Sequence, residues 1–257
     1  MLKEREGIKM TDVMARVNKH YTRAIEHFGK EAVLGVFLYG SWNYNTNTPD
    51  SDVDTKCILI PSIYNLAIKP FEVKHLHIHT EEGFEVCECM SIMHMVANWK
   101  KQNINFVEIM FTNYCIINPL YKEFWAEQFP LADREKVARY DFRQAIHSMV
   151  HQAIHTIKQN PEDPKKIMNG VRIVRTLEKI LDTKESYKDC IWMADDVREH
   201  RYKTPDPSFV KLLLGVLEDY LNDLDFYTGK GSYKPGVDRI LEELIMQSIY
   251  FREGNFI

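Results

Sequence analysis

Long apolar runs are missing from this chain. No stretch approaches the roughly 20 residues that a helix needs to cross a bilayer. The opening MLKEREGIKM is charged where a secretory signal carries an apolar core. A cytoplasmic protein with no membrane span is therefore expected. Cysteine is sparse: Cys57, Cys87, Cys89, Cys115 and Cys190 are five residues in 257. An odd set with no C-x-x-C pair argues against a disulfide framework and a zinc knuckle, and these thiols read as reduced core residues. Surplus positive charge is also absent, with 33 Lys and Arg against 37 Asp and Glu and a net charge of −4. That balance excludes an extended duplex-binding surface, so any nucleic-acid contact has to be local. Internal repeats and low-complexity segments are lacking too.

What is present is a chain with 45% apolar residues, long enough to bury roughly 70 to 75% of its unfolded surface without disulfides or structural metal. Met14, Val17, Tyr21, Ala24 and Ile25 recur at helical spacing, so the segment from about Lys9 to His27 is expected to be an amphipathic helix. AVLGVFLYG (Ala32 to Gly40) is too short for a typical helix and rich in β-formers, which predicts a buried strand. The turn-rich SWNYNTNTPDS leads to DVDTKCILIP (Asp52 to Pro61), a second predicted strand with two carboxylates at its near end. KHLHIHT and GFEVCECM alternate around Glu81, Glu82 and Gly83, as a hairpin does.

Beyond Met90 the periodicity is helical. Helices are expected at Ile92 to Trp99, Phe106 to Phe111, Arg134 to Lys158, onward from PEDPKK to about Leu181, and over Ser208 to Phe226 and Val237 to Tyr250. A strand-rich first half and a helical second half predict an α+β fold with two units, 1–130 and 131–257, divided near Pro130.

The stretch with most chemistry in it is LYGSWNYNTNTPDSDVDTK. Two residues apart on a strand, Asp52 and Asp54 project from one face with Cα atoms roughly 6.6 Å apart. Paired hard oxygen ligands suit Mg²⁺, which commonly takes one or two carboxylates together with substrate phosphates. Gly40 lets a backbone approach a ligand closely, and the following N–H groups with the Ser41 hydroxyl are suited to phosphate oxygens. Lys56 continues the Asp52–Asp54 face and is expected to meet a phosphate as a point charge.

In this order, Tyr39, Gly40, Ser41, a ten-residue gap, then Asp52, Val53, Asp54, the chain resembles the DNA polymerase β-like nucleotidyltransferase superfamily. GSWNYNTNTPDSDVDTK, MSIMHMVANWKKQNINFVEIMF, KKIMNGVRIVRTLEKIL and KPGVDRILEELI are similar to successive blocks of the predicted nucleotidyltransferases associated with RNA repair in bacteria and phages. Two departures stand out: Asn169 occupies the position where that helical block carries His, and Ile104 stands where a proline is expected, while Arg172 keeps the block's basic position.

The resemblance implies transfer of a nucleoside monophosphate from an NTP, with ATP the expected donor, to an acceptor hydroxyl with release of pyrophosphate. It implies Mg²⁺ or Mn²⁺ on Asp52, Asp54 and a third carboxylate. Glu85 and Glu88 are the candidates for that third ligand; strand alternation puts them on opposite faces, and Glu88 is preferred. Gly40, Ser41, Lys56 and Arg172 are expected to hold the nucleotide, with Trp42 and Tyr44 available to stack on a base or acceptor. The acceptor is an RNA end, a protein or a small molecule. A catalytically inactive nucleotide-binding regulatory module is the main alternative, and a helical interaction protein with a structural ion is a third. The trios His75, His77, His79 and His147, His151, His155 are read as a polar strand face and a half-exposed helix stripe rather than metal sites.

Overall fold

A computed structural model describes residues 10–48, 51–68, 73–80, 83–181, 185–226 and 234–255. Pro49, Asp50, Glu81 and Glu82 lie outside that set, so the expected hairpin turn is not among the described residues. The fold is α+β. Helix α1 (Met10–Phe28) precedes β1 (Val33–Leu38) and β2 (Thr55–Leu59). After α2 (Ile63–Ile68) come β3 (Lys74–Thr80) and β4 (Gly83–Ser91). Then follow α3 (Ile92–Lys100), α4 (Ile104–Val107), a 3-10 turn over Glu108–Phe111 and β5 (Cys115–Ile117). The rest is helical: α5 (Lys122–Gln128), α6 (Leu131–Ala138), α7 (Phe142–Gln159), α8 (Pro164–Leu181), α9 (Tyr187–Ile191), α10 (Asp195–Glu199), α11 (Pro207–Asn222) and α12 (Lys234–Asn255). No described helix is long and apolar enough to cross a membrane.

The five strands form one mixed sheet in the order β3-β4-β2-β1-β5. The β2–β4 pair is parallel and the others are antiparallel. β1 carries a bulge between Val33 and Gly35, and a Cβ at Gly35 would stand 2.9 Å from the Ile116 carbonyl oxygen. Only glycine fits that approach.

Strand alternation divides the sheet between two cores. Val36, Leu38, Cys57, Leu59, Cys87 and Cys89 face Val13, Val17 and Ala24 of α1. Leu34, Phe37, Ile58 and Met90 face the helical mass, in one cluster that continues through α3, α5, α7, α8 and α11 to Leu241 and Ile249 of α12. The last helix returns to the sheet side, where Arg252 donates to the Ile60 carbonyl and the Phe251 ring lies 4.7 Å from that of Phe124.

One helix expected over Arg134 to Lys158 is two. The chain breaks at Arg139–Asp141, and Asp141 caps the second helix by accepting from Gln144 N at 3.1 Å. A side-chain acceptor at that point satisfies an N–H that a new helix leaves open, and so makes the restart favourable. The second expected strand starts at Thr55 rather than Asp52.

Candidate functional site

Residues 39–48 leave the end of β1 and turn back, and residues 51–54 lead into β2. Gly40 opens the return with φ +89°, a left-handed conformation that glycine adopts without strain. A tight turn follows, in which Asn43 N donates to Gly40 O at 2.9 Å and Thr46 N to Ser41 O at 3.0 Å. Asn43 fixes it from inside, its Nδ2 donating to Leu38 O at 2.9 Å and its Oδ1 accepting from Thr112 Oγ1 at 2.6 Å. The Ser41 and Trp42 N–H groups have no hydrogen-bond partner among the described residues.

Three bonds close the loop on itself. Ser51 Oγ accepts from Thr48 N at 2.8 Å, the Trp42 indole N–H donates to Asp52 O at 3.0 Å, and Tyr39 N donates to Asp54 O at 3.2 Å. Asp52 and Asp54 are thereby held against the turn that carries Ser41. Both lie in the approach to β2, which begins at Thr55, although the sequence suggests a strand from Asp52.

Asp52 is exposed and Asp54 is half-buried. Asp54 Oδ1 accepts from Val86 N on β4 at 3.2 Å. Burial raises the Asp54 carboxyl above its ordinary range; the Val86 N–H opposes that, and the Asp52 charge raises it further. Two carboxylates that feel each other in this way are stabilised in their charged forms by a cation. Lys165, exposed at the start of α8, is close enough to draw the Asp54 value down. Sequence spacing had not singled Lys165 out, since it lies over 100 residues away in the chain and only the fold brings it here.

The two candidates for a third carboxylate are engaged by other groups. Glu85 faces the α1 layer, where it is buried and bonded to Arg16, to His20 Nε2 at 3.0 Å and to Val53 N at 3.2 Å. Glu88 shares the Asp54 side of the sheet but is ion-paired with Lys56. The strand position beside Asp54 is Val86. Among the described residues no group of three or more His, Cys, Asp and Glu side chains is placed to hold a metal. Two carboxylates alone do not make an all-protein cage, and Mg²⁺ commonly takes one or two carboxylates together with substrate phosphates.

Other expected ligands are engaged. Lys56 is buried, its Nζ 4.2 Å from the Tyr39 ring centroid and 4.0 Å from that of Phe106. Alternation turns it into the helical core, where its charge is answered by Glu88 and two aromatic faces. Tyr44 is buried, and Trp42 is buried except where it borders a cavity beside the turn. Arg172 is buried with its guanidinium 3.9 Å from the Tyr44 ring centroid, so it braces the turn from the helical side. Gly40 N is taken as well: it donates to Glu108 Oε1 at 2.9 Å, which leaves the Ser41 and Trp42 N–H groups as the open donors of the turn. His147 and His151 lie on an exposed stripe of α7, as expected.

Glu108 is fully buried, and burial pushes its carboxyl up to about 7 against the lowering effects of the nearby Tyr44 hydroxyl, Gly40 N–H, Arg172 and Lys56. Its Oε2, the Tyr44 hydroxyl and Arg172 Nε and Nη1 are buried without a well-formed hydrogen bond. Met193 N adds a bond to Tyr44 O at 3.0 Å, and Arg201 Nη1 one to Thr46 O at 3.1 Å. The turn is thus held by Glu108 and by the helical elements. Compared with protein-family models and with curated proteins, the chain matches none.

Proposed function

We propose that this protein is a metal-dependent nucleotidyltransferase, moving a nucleoside monophosphate from an NTP, with ATP the expected donor, to an acceptor hydroxyl. The observation that carries this reading is the set of bonds that holds the backbone of Asp52 and Asp54 against a turn with open N–H donors. Ser41 and Trp42 N–H, with the Ser41 hydroxyl, bind the polyphosphate and hold the departing pyrophosphate. Lys165 adds a cation from the helical side, and Asp52 and Asp54 hold Mg²⁺ or Mn²⁺. A bound divalent ion supplies Lewis-acid polarisation of the phosphoryl oxygens and lowers the pKa of an attacking hydroxyl. Attack of the acceptor oxygen on the α-phosphorus forms one P–O bond and breaks the bond to pyrophosphate, so the protein's own part is positioning and charge. The acceptor class is an RNA end, a protein or a small molecule.

The commitment of Glu85 and Glu88 to other partners favours a second reading, a regulatory module that binds nucleotide without turning it over. Incubation with each α-labelled NTP and Mg²⁺ or Mn²⁺, against pooled RNA, protein and small-molecule acceptors, separates the two. Transfer is expected from the wild type and to fall on the order of 100-fold or more in Asp54→Asn, because a direct ligand should matter at least as much as outer-shell partners do. Nucleotide binding with no label transferred selects the regulatory module, and equal transfer by the variant removes the enzyme reading.

A further inference from the structure

We propose that the cavity between the Ser41 turn and Trp192 is a nucleobase pocket. The cavity has a volume of about 340 Å³ and is walled by Trp42, Phe111, Tyr114, Lys188 and Trp192. That is the small end of ligand pockets and suits one nucleoside. Trp42, Trp99 and Trp125 are 6%, 0% and 1% exposed, whereas Trp192 is 51% exposed. An indole left half in water at a cavity mouth has a full aromatic face to offer.

Its place is built rather than incidental. Lys179 Nζ donates to both the Asp189 and Trp192 carbonyls at 3.1 Å, tying down the end of α9. The next residue, Met193, is bonded to the turn at both backbone groups: its N donates to Tyr44 O at 3.0 Å, and its O accepts from Asn45 Nδ2 at 3.0 Å. The wall bearing Trp192 is therefore pinned to the same turn that holds Ser41, and Trp42 belongs to both cavity and turn. The rim is polar: Lys188 Nζ donates to Asn113 Oδ1 at 2.8 Å, with Asp189 alongside.

Flat aromatic faces with hydrogen-bonding groups at their edge match a base, which stacks by its face and is read at its rim. This assignment rests on the nucleotide reading above and extends it to the part of the substrate away from the phosphates. The base can belong to the NTP or to the end of an RNA acceptor.

Trp192 gives the test its own reporter. Emission excited at the red edge of indole absorption is followed as AMP, ATP, triadenylate with a free 3′-hydroxyl, or inorganic tripolyphosphate is added, and affinities are measured by calorimetry for wild type and Trp192→Ala. Saturable quenching by AMP is expected, with none from tripolyphosphate, and AMP affinity falls about tenfold in the variant. ATP binding far more tightly than triadenylate assigns the base to the donor, and the reverse order assigns it to the acceptor; both uphold the pocket. No saturable AMP binding, or the same affinity in Trp192→Ala, overturns it even if label transfer is intact. Saturable AMP binding by a wild-type protein that transfers no label keeps the pocket and discards the transferase.

Discussion

A carboxyl buried as completely as that of Glu108 persists in a folded chain only when its surroundings answer for it. Here one oxygen takes the Gly40 N–H, and Arg172 and Lys56 stand near. Glu108 has an ordinary pKa of 4.5, raised to about 7 in the fold. Its contribution to stability is therefore full below about pH 4.5 and lost as pH rises through about 7. Glu108→Gln keeps an acceptor for Gly40 and removes the titration. Urea unfolding from pH 4.5 to 8 should show the wild type losing ground to Glu108→Gln by at most about 3 kcal/mol, and a pH-independent difference would contradict this. The tight return at Gly40 and Ser41 was legible in the sequence because that pattern is local, whereas Asp52 and Asp54, expected on the strand, lie in the approach to it. Glu108 was not legible, because its bond to Gly40 joins residues 68 apart. Lys56 and Arg172 were read from the sequence as ligands. Nothing in local spacing discloses that Glu88 and the rings of Tyr39, Phe106 and Tyr44 already face them.

Elements were legible where periodicity is long and hidden where it is short or interrupted by a cap. The helices α1 and α8 begin and end close to expectation, since apolar stripes over several turns leave little choice. With three residues, β5 offers no period, and it is a strand because β1 lies beside it with free backbone groups. The break before α7 is a case of tertiary and capping signals outweighing a continuous pattern. Asp141→Ala should therefore lower stability by about 1 kcal/mol through loss of the cap, read as a lower urea midpoint with unchanged slope. No change in midpoint would mean that the Asp141–Gln144 bond is idle.

At the scale of the whole molecule, the division expected near Pro130 falls inside one core. The cluster that begins at Leu34 on the sheet reaches Ile249 on the last helix without interruption, and Arg252 bonds back to Ile60. Unfolding in urea should accordingly be a single transition, coincident when followed by the fluorescence of Trp99 and Trp125 and by far-ultraviolet circular dichroism. Two separated transitions would assign each half its own stability. The same architecture ties the helical half to the turn, for it supplies Arg172, Met193 and Arg201 to it and brings Lys165 near Asp54. The central claim is that Asp52, Asp54 and the Ser41 turn jointly hold a metal and a polyphosphate. The most direct measurement is Mn²⁺ binding, followed by electron paramagnetic resonance with and without ATP, in wild type and in the Asp52→Asn, Asp54→Asn double variant. The wild type should hold Mn²⁺ together with ATP in a complex that the variant fails to form; the same complex in both proteins would contradict the claim.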